Sequence, residues 1–264
     1  MPRIVPINPS DFCDKAWRKP TGYSFAANQA VAPLVAAEFP KAASAIPIAF
    51  IEQEERFIPV AVLSPLPGRN LFVGPAGQWL GTYVPASLRS HPFLLARGTA
   101  PEEVALCIEQ DSELIVPAGD PNAAPFFGPD GRPSEPTAAV LSFLSALERN
   151  REATTLAIGA LAEAGIIQPW LLNVAVDDEQ REVKGLFKID EAALNALSDE
   201  AFILLRRSGA LPLAYLQLVS TAQIILFEQL SRTQEQLANP SLKQSAAAME
   251  ELFALIDPKG QLFG

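Results

Sequence analysis

The chain has 264 residues, a net charge of −10 and 49% hydrophobic residues. That length allows one large domain or two small ones, and that apolar content supplies a core, which excludes a disordered chain. The acid excess argues against nucleic acid as a partner, because phosphate binding needs Lys and Arg to displace counterions; two cysteines, Cys13 and Cys107, are too few for a disulfide framework.

Proline divides the chain: residues 1–136 hold 20 of its 24 prolines. Proline removes a backbone donor and breaks helix interiors. The first part, 1–136, is therefore expected to be β-dominated and the second, 137–264, helix-rich. Together they predict a single integrated α+β domain over 1–264, with a mainly antiparallel sheet packed against helices. The first eleven residues lack the apolar run of a signal peptide. Residues 2–20 read as extended chain, anchored by Trp17, Tyr23 and Phe25. Pro33 and Pro40 confine a short helix between them. Residues 46–52 and 57–63 read as strands around a charged loop. Residues 71–73 and 78–84 read as the two strands of a hairpin around Gly74-Pro75-Ala76-Gly77, and Pro85 closes the second.

Residues 104–116 read as one strand, whose alternation puts Cys107, Glu109, Asp111 and Glu113 on one face. A Pro/Gly loop over 117–136 follows, and Phe126 and Phe127 within it favour a docked loop. Residues 137–164 read as a helix with Leu144, Leu147 and Leu161 on its apolar face, a break near Asn150 and a stop at Gly165. Residues 169–176 and 183–189 read as strands around an acidic loop, 177–182. Asp190 and Ser198 cap two short helices, the second ended by Gly209. Residues 214–237 are expected to form the longest helix, and 242–256 an amphipathic tail helix. The most apolar window, 211–227, is interrupted by Gln217, Ser220, Thr221 and Gln223 and falls short of the ~20 apolar residues of a bilayer span. No membrane span and a cytoplasmic location are therefore expected.

His91 is the only imidazole. One His excludes a two-His metal triad or an HExxH site built from this chain alone; it leaves a general base or a structural ring. The hydrolase and nucleotide signatures GxSxG, GxGxxG and the P-loop are absent, and no cofactor is indicated. Glu109, Asp111 and Glu113 are either a divalent-cation set or a solvated strand face, and no metal site is assigned. The denser constellation is Asn70, Trp79, Tyr83, Arg89, His91 and Phe93, around the two glycine turns. Trp and Tyr present an apolar body with a polar tip, and Arg a planar donor fork. Such a set lines a pocket for a peptide or another acid-bearing ligand. The alternative is that Trp79 and Phe93 are core and Arg89 pairs with Glu109 or Asp111.

The segment GRNLFVGPAGQWLGTYVPASLRSHPFLL, residues 68–95, resembles the SapC family of bacterial proteins, named for association with surface-layer genes. Tyr23-Ser24-Phe25-Ala26, Pro33-Leu34, Glu38-Phe39, Phe127-Gly128-Pro129-Asp130-Gly131 and Leu186-Phe187-Lys188-Ile189-Asp190-Glu191 fit the same pattern, so the resemblance extends over most of the chain. It implies no catalytic residues. With the aromatic and Arg constellation, it implies a non-catalytic accessory factor that binds a peptide or protein partner in a bacterial surface or secretion system. The alternatives are an enzyme modifying a peptide or small molecule in a pocket around Tyr83, Arg89 and His91, and an oligomer-forming structural protein using the 214–237 helix.

Overall fold

The structure, a computed structural model, describes residues 3–97, 104–176 and 179–239; the expected tail helix over 242–256 lies outside them. The chain opens with β1 (Ile4–Pro6), α1 (Pro9–Phe12) and β2 (Lys15–Trp17). A 3-10 turn, Ser24–Ala26, leads to β3 (Val31–Pro33), and a second, Ala36–Glu38, runs into α2 (Phe39–Ala42). β4 (Ile48–Gln53) and β5 (Arg56–Val62) pair from Ile48↔Ala61 to Gln53↔Arg56. Glu54 and Glu55, with φ of 49° and 60°, make the tight turn between them. After a long irregular stretch come α3 (Ala86–Arg89), β6 (Phe93–Arg97), β7 (Val104–Glu109), β8 (Ile115–Pro117) and β9 (Ala124–Pro125). The second part contains α4 (Glu135–Glu163), β10 (Ile167–Pro169), β11 (Leu172–Val176), β12 (Glu179–Val183) and β13 (Phe187–Ile189). It continues with α5 (Glu191–Asn195), α6 (Asp199–Arg207), α7 (Ala210–Ser220), a 3-10 turn over Thr221–Ile225 and α8 (Leu226–Ala238). The fold is α+β, with antiparallel strand pairs.

The main sheet runs β10-β13-β4-β5-β3 and so takes strands from both parts of the chain. Its faces carry Ile48, Phe50, Val60 and Val62, all buried, and the main core adds Phe39, Phe72, Ile158, Leu161 and Phe227. A smaller cluster gathers Phe12, Trp17, Phe93, Ile108, Phe126 and Leu144. The Pro/Gly loop over 117–136 is docked there through Phe126, which is fully buried.

Helix α4 joins the two clusters. Ser134 caps it, its Oγ accepting from the Thr137 N–H, and Gly165 ends the turn after it with φ of 67°. Leu144 packs in the small cluster, and Ala157, Ile158 and Leu161 in the main core. No break forms at Asn150; its Nδ2 donates to the Ala146 carbonyl at 2.9 Å inside a continuous helix.

Other expectations also need correction; the helix expected between Pro33 and Pro40 forms as the 3-10 turn Ala36–Glu38 running into α2, which contains Pro40. Residues 71–84 are not two strands; Val73 and Trp79 form an isolated bridge within an otherwise irregular loop. Residues 104–116 are not one strand but β7, a turn and β8. The region 169–189 holds two nested hairpins, β10 with β13 outside β11 with β12, so residues 179–182 of the expected acidic loop lie in a strand. The 214–237 stretch is not the longest helix: α7 starts at Ala210 and a 3-10 turn separates it from α8, whereas α4 runs unbroken for 29 residues.

Strands β13 and β4 register through the single pair Phe187↔Phe50. Helix α7 stitches the rest of that seam. Gln217, fully buried, donates from Nε2 to the Ile48 carbonyl at 2.9 Å and accepts the Ile189 N–H on Oε1 at 2.9 Å. Ser220 Oγ accepts the Ile48 N–H at 3.0 Å. The helical run Ala210–Ala238 is long and apolar enough by length and composition to cross a membrane, with a mean hydropathy of 1.6 in its most apolar window. Core helices of globular proteins meet the same criterion, and Gln217 and Ser220 in this run bond to the sheet.

Candidate functional site

The site is built from the irregular loop before α3. Asn70 starts it as a structural residue: it is buried, its Oδ1 accepts the Phe72 N–H at 2.9 Å and its Nδ2 donates to the Ala26 carbonyl at 3.0 Å. Helix α8 clamps the same loop through Gln234, whose Nε2 donates to the Asn70 and Val73 carbonyls and whose Oε1 accepts from Arg69. Gly77 turns the chain with φ of 80°, and its carbonyl accepts the Tyr23 N–H at 2.7 Å. A Cβ there would stand 2.3 Å from Ser24 Oγ, so glycine is required. Trp79 stacks on Phe72 and donates from Nε1 to the Tyr83 carbonyl at 2.9 Å. That bond curls residues 79–83 and returns the Tyr83 side chain to the protein body.

There the phenol meets Glu38, at the end of the second 3-10 turn. Glu38 is 5% exposed, and its carboxylate accepts three hydrogen bonds: Tyr83 OH at 2.8 Å and Ala86 N–H at 2.6 Å on Oε1, and Val35 N–H at 3.0 Å on Oε2. It therefore ties the β3–α2 connection to the start of α3. Burial, followed by the hydrogen bond to Glu38 and its charge, pushes the Tyr83 phenol well above its ordinary value, while the Arg89 charge works the other way.

Below about pH 10 the phenol is neutral in folded and unfolded chains alike. Above it the unfolded phenol ionises first, so the stability held by protonated Tyr83 is lost as pH rises through its raised folded value. Tyr83→Phe is expected to be less stable than wild type at neutral pH by ~1.5–3 kcal/mol, as a bond to a charged acceptor is removed. It should also lose less stability than wild type on going from about pH 9 to about pH 11. Urea unfolding at both pH values checks this; equal losses would detach the phenol from the alkaline transition.

Tyr83 and Glu38 form the inner side of an open hollow of about 520 Å³ between α2, α3 and α4. Arg89 and Lys41, both exposed, supply its positive charge, and Phe143 and Asn150 of α4 its far wall. Arg89 Nε donates to the Val84 carbonyl at 3.1 Å, and its guanidinium stands 5.3 Å from the centroid of the Phe143 ring. Among the described residues Arg89 has no carboxylate partner, so a pair with Glu109 or Asp111 does not form. Two cations beside an aromatic face and a polar floor are suited to hold a carboxylate.

Of the six residues singled out in the sequence, Tyr83 and Arg89 share this hollow. Asn70 and Trp79 shape the loop behind it. His91 faces elsewhere: it stacks on Phe25, ring centroids 3.7 Å apart, and lines a second hollow with Glu109 and Glu113. Burial lowers its pKa, and Glu109 opposes this only in part. Phe93 is buried in the small cluster, edge-on to Trp17. Asp111 does not line the His91 hollow, and among the described residues no group of three His, Cys, Asp or Glu is placed to hold a metal ion.

The constellation singled out in the sequence does not contain Glu38, Lys41, Phe143 or Asn150. The available signal was an acid inside an apolar stretch, Val35-Ala36-Ala37-Glu38-Phe39, since a carboxylate in such a stretch is buried only with partners. No curated protein and no solved structure matches this chain, whereas the model of the SapC family matches residues 7–226. The chain, which that match covers for most of its length, belongs to the SapC family.

Proposed function

We propose that this protein is a non-catalytic binding protein, an accessory factor of a bacterial surface or secretion system, that takes a carboxylate-bearing peptide or protein partner in the hollow at Arg89 and Lys41. The observation that carries the reading is the division of labour around Glu38. Its two oxygens hold Tyr83, Ala86 and Val35 in place, while Arg89 and Lys41 line the open side. A general base needs a lone pair aimed at a substrate proton, whereas three of the roughly four Glu38 lone pairs are engaged within the fold, two on Oε1 and one on Oε2. The raised phenol of Tyr83 stays protonated at neutral pH and serves as a donor. His91, the remaining acid–base candidate, lines the other hollow.

Immobilised protein exposed to random hexapeptides with free C-termini, with retained peptides read by mass spectrometry, tests this. Wild type should enrich a defined subset, and Arg89→Ala should lower its retention about tenfold, the loss of one charge-assisted contact. Unchanged retention by Arg89→Ala would remove the site.

A further inference from the structure

We propose that the hollow is one end of a groove along α4 that takes a peptide C-terminus in extended form. The terminal carboxylate lies at Arg89 and Lys41, and an apolar side chain two to four residues upstream fills a slot at the other end. This rests on the carboxylate reading above.

The slot is a separate, narrower pocket of about 130 Å³ between α4 and the edge of the main sheet, walled by Pro33, Phe57 and Ile58. An apolar cavity of about 150 Å³ accommodates a benzene ring, so the slot has room for one aliphatic side chain. Val35 and Leu147 border both pockets, which therefore adjoin. On α4 the hollow is lined from Phe143 to Asn150 and the slot from Leu147 to Thr155. At ~1.5 Å of rise per residue, the middles of the two lie ~8 Å apart, and the Phe143 end, where Arg89 sits, lies ~13 Å from the slot. An extended chain at ~3.3 Å per residue covers such distances in two to four residues.

The junction favours a peptide over an alkyl chain. Asn150, on the hollow side, donates to the Ala146 carbonyl, and among the described residues its Oδ1 accepts no hydrogen bond. Ser87, on the slot side, donates to the Pro33 carbonyl and keeps a lone pair. Peptide N–H groups passing between the pockets can donate to both oxygens, whereas methylenes would cover them without a partner.

Fluorescence anisotropy with labelled Gly/Ser hexapeptides tests the groove. The set places one Leu at each position from the last to the sixth-last, in free-acid and amidated forms, with a Leu-free peptide as reference and decanoate as competitor. Free acids with Leu two to four residues before the terminus should bind about tenfold tighter than the reference, as burial of one Leu side chain implies. Thr155→Trp, a change at an exposed position lining the slot, should abolish that gain and leave the reference affinity unchanged. Affinity that does not depend on the position of Leu, or a gain that survives in Thr155→Trp, would overturn the slot while the carboxylate reading stands. Displacement by decanoate at lower concentration than the best peptide would overturn the peptide occupant. Amidated peptides binding as tightly as acids, or no acid binding at millimolar concentration, would overturn the carboxylate reading itself.

Discussion

Glu38→Ala is expected to lower the unfolding free energy by roughly 3–6 kcal/mol, a large share of the ~5–15 kcal/mol typical of a folded domain. The carboxylate is 5% exposed and accepts from Tyr83 OH, Ala86 N–H and Val35 N–H. Alanine leaves three donors without an acceptor, each at a cost of ~1–3 kcal/mol where water cannot reach. Glu38→Gln keeps one carbonyl oxygen for Tyr83 and Ala86 but turns an amide donor toward the Val35 N–H, so a loss of ~1–3 kcal/mol is expected. Urea midpoints at constant m separate the two variants. A loss below about 1 kcal/mol in Glu38→Ala would mean that the carboxylate does not hold the β3–α2 connection to α3.

Gln217→Leu is the second large effect, at roughly 2–4 kcal/mol. Leucine preserves the volume and helix propensity of this position in α7. It removes both bonds of the amide and leaves the Ile189 N–H and Ile48 carbonyl facing an apolar group at the seam of β13 and β4. Because β13 belongs to the second part of the chain and β4 to the first, the variant should also raise hydrogen exchange at the Ile189 N–H above that of the β4–β5 hairpin. A stable variant with unchanged exchange there would assign the seam to apolar packing alone.

The sequence was most legible where one residue acts locally. Asp190, Ser198 and Gly209 mark helix boundaries through their own hydrogen bonds or φ values, and each does so in the structure. It was less legible where a side chain competes with a pattern. Alternation over 104–116 continues past Glu109, but the Ser112 N–H bonds to the Glu109 carbonyl and Ser112 Oγ accepts the Leu114 N–H, which turns the chain and ends β7. Ser220 and Thr221 likewise bond back to the Gln217 and Leu218 carbonyls, and the helix tightens to 3-10 there.

The hollow was legible in part for a related reason. Tyr83 and Arg89 lie near one another in sequence, and the loop that carries Tyr83 runs directly into α3, which carries Arg89. Glu38 and Lys41 come from the earlier turn and helix, and Phe143 and Asn150 from α4. They meet Arg89 only once α4 has packed across the two clusters, and no local pattern announces such a meeting.

Heteronuclear NMR of the protein titrated with the Leu-free, free-acid Gly/Ser hexapeptide tests the binding site most directly. The expected result is a set of shifts confined to Lys41, Thr82, Tyr83, Arg89 and the Asn150 side-chain amide, absent with the amidated peptide and weakened by salt. Shifts centred on Phe25, His91 and Glu109, or the same shifts with acid and amide, would contradict it.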